Sequence, residues 1–158
     1  MRAVFIFYPF LFYGTYELTI EHACARNLDE ILTLRSKTDP KDLKPISPDE
    51  IAYRIHEFYT VIMNGATVGC FRIFTPETNP DVLELGSVVS SLRGTGRIIV
   101  GYSEEYAQLM KKRMIAITGG KLDSTLEKQG WKVATDTYKK RMQESLDDKK
   151  CWEYSKNT

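Results

Sequence analysis

The sequence predicts a mixed α/β domain, and three observations carry the prediction. Short apolar or alternating segments, such as Tyr16–Glu21 and Val82–Val89, have the period of strands. They are interleaved with segments of helical spacing, the longest running from Ile98 to Arg113. Between Val89 and that helix lies a glycine turn, Leu92-Arg93-Gly94-Thr95-Gly96-Arg97-Ile98, so a strand feeds a helix through it.

The elements follow in order. Ala3 to Tyr13 is a dense aromatic and apolar run. It is too short to span a bilayer as a helix and is interrupted by Pro9, and Gly14-Thr15-Tyr16 is a poor small-residue cleavage site. An extra strand or apolar extension over residues 1–15 is expected; a membrane-associating or partner-binding segment is the other reading. Tyr16–Glu21 alternates as a strand, and Asn27 is placed to cap a helix beginning at Leu28, with Ile31, Leu32 and Leu34 apolar. After the polar stretch Ser36–Lys44, a second helix carries a full start signal. Ser47 is its N-cap, Pro48 its first residue, and Ile46 and Ile51 stand where a hydrophobic staple closes. Ile51, Ile55, Phe58 and Tyr59 are expected to form its apolar face. Asn64-Gly65 between two apolar segments predicts a hairpin joining Thr60–Met63 to Ala66–Phe74. A loop with two prolines, Thr75–Asp81, leads to the strand Val82–Val89. Beyond the helix, Met114–Thr118 reads as a buried strand, Leu122–Lys128 as a small helix stopped by Gly130, and Trp131–Met142 as a strand. Residues 147–158 read as a polar, loosely held tail, which leaves 16–146 as the main domain.

Composition excludes some functions. The chain has 158 residues and a formal net charge of +1, so one domain is expected and no overall field draws it to nucleic acid. The Lys111-Lys112-Arg113 cluster fits a solvated helix end. Cys24, Cys70 and Cys151 are too scattered for a disulfide framework, so a reducing, cytoplasmic setting is expected. His22 and His56 lie far apart and no Cys-x-x-Cys occurs, so no metal is expected. Stable membrane insertion is not expected either. An apolar N-terminal strand could pair between subunits, which leaves a homodimer open.

The glycine turn is the candidate functional feature. Gly94 and Gly96 allow a tight turn and let a ligand approach the backbone. The helix start offers unpaired N–H groups and the positive end of the dipole, an anion site suited to phosphate or pyrophosphate. A strand-to-helix turn that binds nothing uses the same residues.

The order of elements, with the Arg93-Gly94-Thr95-Gly96-Arg97-Ile98 turn and the later Leu126-Glu127-Lys128-Gln129-Gly130-Trp131, resembles the GNAT superfamily of acetyl-CoA-dependent N-acyltransferases. The resemblance covers roughly Tyr16 to Met142. Within the superfamily, Leu43–Ile51 followed by Ile55–Tyr59 is similar to amino-acid N-acetyltransferases of the N-acetylglutamate-synthase type. Two positions depart from the pattern: Ile98 replaces a small residue, and Leu126 stands where a tyrosine is common. The resemblance implies a mostly antiparallel central sheet flanked by helices, with acetyl-CoA as co-substrate and a small-molecule amine as acceptor. It implies that Arg93, Gly94, Thr95, Gly96, Arg97 and Ile98 hold the pyrophosphate. It also implies that Val88 and Val89 present backbone N–H groups to the thioester carbonyl. Glu84 is then the candidate base, on the strand bordering the cleft. Tyr138 or Tyr102 is the candidate acid in place of Leu126, although Tyr102 also fits the helix core stripe. A protein amine as acceptor, or a non-catalytic module working through partner contacts, are the alternatives.

Overall fold

A computed structural model describes residues 4–10, 14–142 and 149–155. Among the described residues, eight strands form one sheet: β1 (Val4–Phe10), β2 (Gly14–His22), β3 (Phe58–Met63), β4 (Ala66–Phe74), β5 (Val82–Ser90), β6 (Arg113–Thr118), β7 (Lys132–Val133) and β8 (Lys150–Tyr154). Their spatial order is β1-β2-β3-β4-β5-β6-β8-β7. Every neighbouring pair is antiparallel except β5 and β6, which run parallel. A parallel pair needs a long crossover, and α3 (Thr95–Met110) supplies it. The mixed, mostly antiparallel sheet flanked by helices is the class the sequence predicts.

Two apolar layers cover the sheet. On one face α3 and α4 (Asp123–Lys128) pack Ile99, Val100, Tyr102 and Leu126 onto Tyr59, Val61, Phe71, Leu83 and Leu85. On the other, α1 (Leu28–Ser36) and α2 (Pro48–Tyr53) pack Ile31, Leu34 and Ile51 onto Phe58, Cys70 and Val89. The start of α2 follows its local chemistry. The Ser47 hydroxyl accepts from the Glu50 amide at 3.1 Å, and Ile46 and Ile51 join the same cluster. The hairpin turn does too, with Asn64 and Gly65 both at positive φ (50° and 82°).

Four expectations are corrected. Asn27 does not cap α1 with its side chain; its Oδ1 accepts from the Cys24 amide at 2.9 Å and closes the 3-10 turn Ala25–Asn27 instead. Phe58 and Tyr59 are not on α2. That helix ends at Tyr53, a 3-10 turn spans Ile55–Glu57, and both aromatics begin β3, pointing to opposite faces of the sheet. Trp131–Met142 is not one strand: β7 holds only Lys132–Val133, and Thr135–Met142 is a helix, α5. Its Tyr138 packs on Val82, Ile115 and Cys151. Lys150–Tyr154, placed by the sequence in a polar tail, is β8, seated between β6 and β7 with Cys151 and Trp152 buried. Adjacent strand residues point to opposite faces, so Cys151 joins Val82, Ile115 and Tyr138 while Trp152 joins the α3-side core.

Candidate active site

The site forms where β5 and β6 part. They pair from Val82↔Arg113 to Leu85↔Ala116 and no further, although β5 continues to Ser90 and β6 to Thr118. A bulge drives them apart. Between Cys70↔Val89 and Arg72↔Gly86, β4 advances two residues while β5 advances three. Ser87 stands inside this bulge at φ 51°, a left-handed conformation costly for a side-chain-bearing residue. The wedge opens into a cleft of about 440 Å³ bounded by β5, the glycine turn, the end of β6 and α4.

The glycine turn supplies one wall. Gly94 adopts φ 91° as the N-cap of α3, and a Cβ there would meet nothing within 4 Å, so the turn is open to the cleft. A Cβ on Gly96 would come 3.2 Å from Leu122 Cδ1. No acidic residue occupies the first turn of α3. The charged side chains lining the cleft are Asp42, Arg93 and Lys121, which leaves an excess of positive charge beside the helix start. These features fit a phosphate-bearing group. Asp42 reaches the cleft because the 3-10 turn Pro40–Asp42 lies on Gly119, where a Cβ would be only 2.8 Å from the Lys41 carbonyl oxygen.

The residues expected from sequence divide. Arg93, Gly94, Gly96 and Val88 line the cleft. Thr95 is buried beneath the turn, Arg97 is exposed, and Ile98 rests half-buried on the core. The Ser91 amide donates to the Val68 carbonyl on β4 at 2.9 Å. By alternation the Val89 amide also faces β4, whereas the Val88 amide faces the cleft. Val89's side chain is buried against α1 and α2. Glu84 is half-buried, and its carboxylate lies on the sheet face away from α3. Tyr138 is buried under α5, outside the cleft lining, and Tyr102 is in the core against Tyr59 and Phe71. Leu126 is fully buried, packed where a core residue belongs. Among the described residues, no tyrosine lines the cleft.

Sequence reasoning missed Ser87, Ser90, Thr118, Lys121 and Asp42, all of which line it. One signal was available: parallel strands end on the same side, so the Thr118-Gly119-Gly120 end of β6 falls beside the end of β5. Thr118 is fixed by its hydroxyl, which donates to Asp123 Oδ1 at 2.5 Å; the same oxygen accepts from the Trp152 indole at 2.9 Å. Among the described residues, no group of three or more His, Cys, Asp or Glu is placed to hold a metal, and no helix is long and apolar enough to cross a membrane.

A parallel pair that splays at a bulge, with a glycine turn and helix start at its mouth, is the arrangement of the GNAT fold, and this chain has that fold. No protein-family model matches the sequence, and no curated protein matches it. Solved structures do. One is N-acetylglutamate synthase from Neisseria gonorrhoeae complexed with coenzyme A and N-acetyl-glutamate, at TM-score 0.70 and 18% identity over 86% of this chain. The chain spans about a third of that enzyme's length (34%). A Mycobacterium tuberculosis protein in complex with CoA is similar at TM-score 0.67 and 16% identity, covering 85% of this chain and 96% of that one. A GNAT-family acetyltransferase from Streptococcus pneumoniae is similar at TM-score 0.63 and 14% identity, covering 87% and 98%. At such identities the likeness is one of fold.

Proposed function

We propose that this protein moves an acetyl group from acetyl-CoA to a primary amine of a small molecule, an amino acid being the leading class. One observation carries the reading: the strand wedge and the open start of α3 belong to a single cleft. The solved structures that contain CoA support it. Bound acetyl-CoA supplies an activated acyl group on a thiol leaving group. The turn at Arg93, Gly94 and Gly96 holds the pyrophosphate, with Arg93 and Lys121 adding positive charge. The Val88 amide faces the wedge and donates to the acyl carbonyl oxygen, where negative charge grows as the amine attacks. Glu84 receives the proton an ammonium must lose, since a lysine-like amine titrates at about 10.4.

The tyrosine-free lining of the cleft favours a second reading, a CoA-binding module without catalysis. Incubation with acetyl-CoA and a panel of amino acids and polyamines, followed by detection of free thiol, separates the two. Release that depends on the amine supports the transferase. Thermal stabilisation by CoA with no release for any amine supports the module. No stabilisation by CoA refutes both.

A further inference from the structure

On the transferase reading the acyl group and the acceptor meet in the wedge between β5 and β6, and Gly86 stands where that wedge opens. It is the first residue of β5 beyond the last pair with β6, Leu85↔Ala116, and it lines the cleft. Alternation sends Leu85 into the α3-side core and leaves positions 84 and 86 on the other face. A Cβ at position 86 would lie 3.8 Å from Glu84 Oε2 and 3.4 Å from Phe74 Cε1. The cleft and the Glu84 carboxylate therefore stand on two sides of one Cα that carries no side chain.

The backbone does not require glycine here. Gly86 is not among the glycines at positive φ, and both distances are ordinary van der Waals contacts. An alanine would fit the fold and close the gap. The far wall is fixed, because the Arg72 guanidinium lies 3.8 Å over the Phe74 ring and is held by Glu57 through contacts of 2.7 and 2.9 Å. We propose that Gly86 is the port through which the acceptor amine reaches the acyl group, and that its missing side chain sets how bulky an acceptor can pass. The inference rests on the transferase reading above.

Gly86→Ala and Gly86→Val test it in the full chain, with amine kinetics beside CoA affinity. The expected result is a KM for the amine raised about tenfold or more and a kcat reduced by up to about 100-fold, as when reacting groups are displaced by about 1 Å. CoA affinity and the melting midpoint of Gly86→Ala stay at wild-type values, and valine is worse than alanine. Wild-type KM in Gly86→Ala overturns the proposal, as does a loss of CoA affinity with KM unchanged. If the wild-type protein acetylates no amine, the transferase reading fails. The port falls with it, whereas an active wild type with unchanged amine kinetics in Gly86→Ala overturns the port alone.

Discussion

Gly96→Glu separates the stability of α3 from the function of its first turn. Position 96 is the second residue of a helix whose first turn holds no acid. A glutamate there meets the positive end of the dipole, worth about 0.3–1 kcal/mol, and replaces a glycine that costs the helix about 1 kcal/mol relative to alanine. The one close neighbour of the new Cβ is Leu122 Cδ1 at 3.2 Å, the far end of a flexible side chain. The unliganded protein should therefore melt at or above the wild-type temperature. The bound state responds oppositely. A carboxylate about 4 Å from a phosphate oxygen costs about 4 kcal/mol at an effective dielectric of 20, close to 1000-fold in affinity. In wild type, CoA at 100 times its Kd adds about 2.7 kcal/mol. That corresponds to roughly 5–11 °C for a domain of this size. Differential scanning fluorimetry with and without CoA reads both arms. A Gly96→Glu protein that melts as wild type and keeps the full CoA shift would refute the placement of the anion at this turn.

Three further outcomes follow from the same geometry. Glu84→Gln should lower kcat by about 10²–10⁴-fold while leaving the CoA-induced melting shift intact, and an unchanged pH–rate profile would exclude it as the base. Ser47→Ala removes the acceptor of the Glu50 amide and should cost about 1 kcal/mol, seen as a fall of about 2–4 °C in melting midpoint. Burial pushes the thiols of Cys70 and Cys151 from 9.0 up to about 12. A raised folded-state value favours the protonated form, so this stabilisation is complete below pH 9 and is lost as pH rises towards 12, at about 1.4 kcal/mol per pH unit for each thiol. Urea titrations across that range should show the fall, and Cys70→Ala should flatten it. Native-state alkylation should label Cys24 alone, since it is the exposed thiol.

What the sequence made legible is chemistry that acts over a few residues. Ser47-Pro48, Asn64-Gly65 and Gly94 each set their own backbone, and each stands where its local preference places it. Phe58 and Tyr59 misled because Ile51, Ile55, Phe58 and Tyr59 satisfy a helical stripe as well as a turn followed by a strand. The pattern does not register that the chain leaves helix geometry at Arg54. Lys150–Tyr154 misled because its charge masks a two-residue apolar centre that is buried when the strand enters the sheet between β6 and β7. At the site, Arg93, Gly94 and Gly96 were legible as a contiguous motif. Ser87, Thr118 and Asp42 were not, because only the bulge, the crossover and the packing of Pro40–Asp42 on Gly119 bring them together.

The seating of Trp152 on Asp123 has a consequence for assembly. Asp123 anchors Thr118 at the rim of the cleft, yet its second partner arrives 29 residues later, on β8. During synthesis the glycine turn and the strand bulge emerge well before the strand that holds the opposite rim. A growing chain can thus build the anion-binding wall early, but it completes the facing wall only once Lys150–Tyr154 is free to enter the sheet beside β6. The enclosure of the cleft is then timed by the arrival of β8, well after the anion-binding wall has emerged.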